Sequence, residues 1–210
     1  MTYLTEIAAE IAGLEKWQRV ALAAMCAESL SPVIARFAQP DTQRAFEQGL
    51  DCAWKSVRNE SLDSRALAAR ATLNDLHEST CDDSNIPAYE VMIVLSILAY
   101  TLDSILENDS ARCVTDACTA ATDQYSGYDY VLTTGNQARK IDPCNPPPPG
   151  RLESLLIQTQ FRSIQVTRSI GKPQSDLVEE MQTLAKQLAT EIERVLPTIA
   201  EKRGWNTNLH

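Results

Sequence analysis

The sequence is poor in the residues from which most catalytic sites are built. Of its 210 residues only two are histidine, His77 and His210, and only seven are glycine. It contains no Walker A loop, no G-x-G-x-x-G, no G-x-S-x-G and no H-E-x-x-H. Those gaps exclude the common phosphate-cradling loops, the nucleophile elbow and the zinc-protease helix. Aromatic residues make up 6% of the chain, and runs of Val, Ile, Thr and Tyr are almost absent, so a sheet is not expected. No unbroken apolar run approaches the ~20 residues that span a bilayer. The longest are Val20–Ala27 and Val91–Tyr100, and Ser96 interrupts the second. Positive charge is also short. Lys and Arg total 19 against 28 Asp and Glu, a formal net charge of -9. An acidic surface repels phosphate backbones and anionic lipid surfaces, so neither nucleic acid nor membrane is expected as a partner. Met1–Gly13 carries two glutamates and no basic residue, the reverse of a secretory leader. A cytoplasmic protein is expected.

What the sequence does have is helix. Hydrophobic residues reach 44%, enough for a core, and Ala, Leu and Glu dominate. The first clear helix is read from Leu14 to Leu30. Its centre, VALAAMCA, is apolar on all sides and should be buried on most of them. Pro32 should end it, with a turn or short helix reaching Phe37. Asp41 is then placed as the N-cap of a second helix with Phe46, Leu50, Ala53, Trp54 and Val57 on one face. Asp63 is read as the cap of a third, turning Leu62, Ala66, Leu73 and Leu76 inward. HESTCDDSN reads as a loop. Pro87 opens a helix running to about Asn108. From Ser110 a further helix carries Val114, Ala117, Cys118, Ala121, Tyr125, Tyr128 and Leu132 on one stripe. Two more follow, Leu152–Ile170 and Pro173 to about Leu196, where Pro197 should kink or end the last. The expected architecture is a single all-α domain over residues 1–210, a bundle of seven to eight helices, with a proline-rich connecting loop at about 135–150.

That loop contains NPPPPGR, residues 145–151. It matches P-x-x-P-x-R, the pattern of a docking peptide, but a proline rod between two helices also serves as a stiff hinge. The hinge is the expected role, with Gly150 as N-cap of the following helix and Glu153 reaching back to it.

Candidate chemistry is sparse. The cysteines Cys26, Cys52, Cys81, Cys113, Cys118 and Cys144 lie largely in helical apolar patterns and are read as free thiols packed as small hydrophobes. His77 and Cys81 are four apart, a spacing that lets a helix present both to a metal, yet no second ligand pair completes a site. Glu28, Asp51 and Glu90 stand on or beside apolar faces of three different helices. An enzyme or metal protein would use these carboxylates together, or His77. The di-iron pattern also needs Glu-x-x-His pairs, which the sequence lacks. Each carboxylate is therefore expected to be paired separately: Glu28 with Arg36 or Arg44, Asp51 with Lys55, and Glu90 with the positive end of its helix. Tyr125, Tyr128 and Tyr130 are expected at a core edge with their hydroxyls in water. No catalytic, cofactor-binding or metal-binding residue is assigned.

Leu14–Phe37 (LEKWQRVALAAMCAESLSPVIARF) and Gly49–Val57 (GLDCAWKSV) together resemble the bacterial YjaG-like family. The matching positions are Leu14, Trp17, Gln18, Val20, Glu28, Pro32, Phe37, Leu50, Asp51 and Trp54. Pro87, Ala88 and Glu90 are similar to that family's helix start. The resemblance implies an all-helical cytosolic protein without an established activity, and association with signalling proteins such as histidine kinases. The chain differs at Glu28-Ser29, where the family often has Glu-Arg, and at Pro32-Val33-Ile34, where it often has Pro-Asn-Tyr. The expected function is non-catalytic binding of a protein partner, as an immunity-type protein neutralising a toxin or as a signalling adaptor.

Overall fold

The computed structural model describes residues 3–58, 63–81, 83, 86–135, 147–170 and 175–205. Among these residues there are nine α-helices, one 3-10 helix and no strand. In chain order they are α1 (Tyr3–Ala12), α2 (Lys16–Ser29), α3 (Ser31–Phe37), α4 (Pro40–Val57), α5 (Asp63–Asn74), the 3-10 helix His77–Thr80, α6 (Pro87–Leu106), α7 (Ser110–Thr134), α8 (Arg151–Ser169) and α9 (Ser175–Lys202). Leu30 alone separates α2 from α3, so counting them as one broken helix gives eight. The all-α, single-domain architecture expected from the sequence is the one observed.

The apolar pattern explains the layout. Every residue from Val20 to Ala27 is buried, and α2 packs on α4, α6, α7, α8 and α9 at the centre of the bundle. A helix without a polar side has to be surrounded in this way. The next most apolar helix, α6, lies against α2, α5 and α7. In α9 the line Leu177, Met181, Leu184, Leu188, Ile192, Val195 and Ile199 is wholly buried. Lys16–Phe37 and Pro87–Leu106 are long and apolar enough to cross a membrane by length and composition, but most of each is buried inside the bundle. Glu28 and Ser29 after the first apolar run, and Ser96 within the second, shorten the unbroken runs without making either segment polar on average.

Several boundaries differ from expectation. A whole helix, α1, precedes the first one read from the sequence. It packs on α7 and α8 through Ile7 and Ile11. The helix read from Leu14 does stop at Ser29, just before Pro32, and a short helix reaches Phe37 as expected, with Pro32 in the first turn of α3, where a missing N–H costs nothing. Pro40 opens α4 in the same way after Gln39, so Asp41 lies in the first turn instead of at the cap. Asp63 is the first helical residue of α5. HESTCDDSN contains the 3-10 helix. Pro197 neither ends nor interrupts α9, which runs on to Lys202. The lost hydrogen bond is offset there by burial of Leu196, Ile199 and Ala200. Leu62, Pro146, Gly171 and Pro173 lie outside the described residues.

Candidate functional site

The three carboxylates do not meet. Each has its own partner, on geometry that differs in part from expectation. Glu28 on α2 accepts a hydrogen bond from the Trp54 indole Nε1 at 2.8 Å, not from Arg36 or Arg44. Arg44 instead pairs with Asp41, and Arg36 lies over the Phe37 ring. Burial raises the Glu28 pKa, opposed by the Trp54 hydrogen bond and the field of Lys186. Asp51 pairs with Lys55 at 2.6 Å on the surface of α4, as expected. Glu90 is in the first turn of α6, also as expected, yet it is only 2% exposed and held by more than the helix dipole. One oxygen accepts from Arg203 and the other from Gln124. Burial raises its pKa against the field of Arg203.

His77 opens the 3-10 helix and is exposed. A 3-10 turn does not align residues four apart, so His77 and Cys81 lose the shared face that a metal would need. The Cys81 thiol contacts the Asp83 carbonyl at 3.9 Å. Among the described residues no three His, Cys, Asp or Glu side chains group as metal ligands. Cys26, Cys52, Cys113 and Cys118 are buried free thiols. Burial, with Glu107 and Asp103 nearby, pushes the Cys113 thiol up to about 11. Cys144 and His210 lie outside the described residues.

The tyrosines correct the expectation of a wet core edge. Tyr125 and Tyr128 are fully buried. The Tyr125 hydroxyl reaches the Ser29 carbonyl at 3.5 Å. That of Tyr128 sits against Glu90 and Gln124 without meeting the geometry of a full hydrogen bond. Tyr130 is half-buried.

Three polar constructions escaped the sequence reading. Glu78 of the 3-10 helix is buried and caps α4 from outside. It accepts from the Gln39 backbone N–H at 3.2 Å and from the Thr42 hydroxyl at 2.9 Å. The end of α9 is tied down by Arg203 on Glu90, by Lys202 Nζ on the Leu132 carbonyl at 2.7 Å, and by Trp205 edge-on to Phe37. The third lies among α1, α2, α7 and α8. The Tyr3 hydroxyl bonds to Gln160 and lies 3.1 Å from the Thr122 hydroxyl. Gln160 Nε2 donates to the Cys118 carbonyl at 3.3 Å and to Cys26 Sγ at 3.5 Å. Cys26 and Cys118 face one another with sulfurs 3.9 Å apart. A stripe at Tyr3, Ile7 and Ile11, each four residues on, was the available signal for α1. Nothing in the sequence joins Gln160 to Cys26, 134 positions away.

A cleft of about 140 Å³ opens between α5, the 3-10 helix and α6. Leu73, Met92 and Leu95 are in its wall, with Arg70, Ser96 and Tyr100. Its cation is already engaged, since Arg70 bonds to Asp103 at 2.9 Å.

The fold and these pairings describe an all-helical bundle whose buried carboxylates are each satisfied internally. No protein-family model and no curated protein matches the sequence. Among solved structures, the chain is similar to the 1.91 Å crystal structure of a DUF416 family protein from Shewanella baltica OS155. The TM-score is 0.64 at 11% identity, over 86% of this chain and 93% of that one. The likeness concerns the fold, shared with a bacterial family of uncharacterised function.

Proposed function

We propose that the chain is a non-catalytic cytoplasmic module that binds another protein, either as an immunity-type protein that neutralises a toxin or as a signalling adaptor. We also infer that it is a remote member of the YjaG-like family. The observation that carries the binding reading is the division of its acidic residues. Glu28 and Glu90, the carboxylates best placed for chemistry, are committed to Trp54 and Arg203. The excess negative charge is outside, as on α9, where Asp176, Glu179, Glu180, Glu193 and Glu201 are all exposed. Such a face steers a basic protein surface and adds specificity more than raw affinity.

The tagged chain is expected to retain a specific protein from its native host, the product of a neighbouring gene. Affinity for the purified partner should fall as salt rises, and Glu179→Lys with Glu180→Lys should weaken it roughly tenfold or more at low salt. Recovery of no specific partner, or a complex indifferent to salt and to these reversals, would sink the reading.

A further inference from the structure

The cluster beneath α1 involves none of the acidic residues on which the proposed partner binding rests. We propose that Cys26 and Cys118 are a redox-sensitive pair that closes into a disulfide between α2 and α7, with the first turn of α1 as its cover. The sulfurs are already 3.9 Å apart and need to approach to about 2.05 Å. Both helices are rich in buried alanine, with Ala23, Ala24 and Ala27 on α2 and Ala117 and Ala121 on α7, so the backbones pack closely. The other described thiols lack such a facing partner. Cys113 turns to Glu107 at 3.7 Å, and Cys81 to the Asp83 carbonyl.

The cover is built asymmetrically. At its C-terminal end α1 is held by Arg19, which donates to the Ile11 and Ala12 carbonyls at 3.0 and 2.8 Å, and by Arg168 on Glu10. At its N-terminal end Tyr3 reaches inward to Gln160 and Thr122, beside the thiols. Only Ile7 and Ile11 of α1 are fully buried. A short helix with two core anchors opens more readily than the bundle beneath it, and it opens over the pair. While it is closed, the hydrogen bond to Cys26 and burial hold the Cys118 thiol protonated, and a protonated thiol does not react. Lifting the first turn admits water and an oxidant.

The oxidant is a small disulfide. One cysteine loses its proton to solvent, attacks a sulfur of the oxidant and expels one thiol. The second cysteine then attacks the mixed disulfide and expels the other. Two cysteine S–H bonds and one oxidant S–S bond become one Cys26–Cys118 bond and two small-molecule thiols.

The test uses the full reduced chain with oxidised glutathione, followed by alkylation and peptide mapping without reductant. A peptide linking Cys26 to Cys118 is expected, with neither of these two thiols left to alkylate, and Cys118→Ala should abolish it. Ile7→Ala should speed its formation roughly tenfold or more by loosening α1. The milder Tyr3→Phe, which keeps the ring, should speed it roughly threefold. Should Cys26 and Cys118 both stay alkylatable after Cys81 is fully glutathionylated, or link to other cysteines, the pair is not a switch. Equal rates in the native chain and both α1 variants would overturn the role of α1.

Discussion

A carboxylate set into an apolar helix is stabilised or protonated according to what lies within reach, and at Glu28 the nearest donor is an indole. Burial raises its pKa more than the Trp54 hydrogen bond and Lys186 lower it. A carboxyl whose pKa is higher folded than unfolded favours the fold in its protonated form. That contribution is complete below the unfolded pKa and lost as pH rises through the folded one. Glu28→Gln keeps the acceptor for Trp54 and removes the cost of ionisation. It should stabilise the protein by roughly 0.5–1 kcal/mol at pH 7 and be neutral near pH 3.5. The effect is modest because Glu28 is only half-buried and partly screened. Urea midpoints at the two pH values check it, and a loss of stability at pH 7 would mean that the ionised form is the favoured one. Gly150 is a second residue whose identity is set by a neighbour. A Cβ there would fall 2.4 Å from the Asp129 carboxyl carbon, the group whose Oδ2 accepts from the Glu153 N–H at 2.9 Å to cap α8. Gly150→Ala should cost about 1–3 kcal/mol in thermal unfolding. Adding Asp129→Ala should relieve part of it, so the two changes should not add.

At the scale of the element, what could be read in advance was whatever repeats along the helix. The α9 stripe follows from a 3.6-residue period and the centre of α2 from its lack of any polar side, and both are buried as those patterns require. The α1 stripe was equally periodic but only three residues long, too short to stand out. Cap chemistry was legible where it is local, as at Gly150 and Glu153, and failed where the cap comes from elsewhere. No rule of neighbouring residues assigns Glu78 to the start of α4, since it lies 39 positions from Gln39. Pro197 was misread for a related reason. A proline in a helix costs about 3 kcal/mol locally, and only the tertiary contacts beyond it, at Ile199, Ala200, Lys202 and Arg203, outweigh that. The candidate carboxylates were likewise identifiable as buried or half-buried acids, while two of their partners were not, because Trp54 and Arg203 are remote in sequence. If Glu78 is the true cap, Glu78→Ala leaves a backbone N–H and a buried hydroxyl without an acceptor. It should cost about 1–3 kcal/mol and speed amide exchange in the first turn of α4 while sparing α8. Uniform exchange across both helices would show that Glu78 contributes packing and no cap.

Across the whole molecule, the pairing of Glu90 with Arg203 joins the start of α6 to the end of α9 over 113 positions. It closes the bundle with an ion pair that is buried at the acid and nearly so at the base, with side-chain exposures of 2% and 16%. The two partners differ in how they respond to being left alone. An arginine stays protonated at any working pH. Glu90→Gln leaves the guanidinium, whose Nε already lacks a partner among the described residues, facing a neutral side chain, as a protonated Glu90 does, so its difference from the native protein should be smallest at low pH, where Glu90 is itself neutral. Arg203→Met strands the carboxylate instead, and a carboxylate can take up a proton. Its pKa is already raised by burial and held back chiefly by Arg203, so removing the arginine raises it further. The destabilisation, about 3–5 kcal/mol when Glu90 is ionised, should shrink as pH falls through that raised pKa. In unfolding curves from pH 7 to pH 4 the deficit of Arg203→Met against the native protein should thus shrink, while Glu90→Gln, which cannot titrate, should lack the native protein's gain in stability on acidification. Parallel curves for both would mean that the pair holds by shape alone, with Trp205 and Phe37 rather than the charges fastening the end of α9.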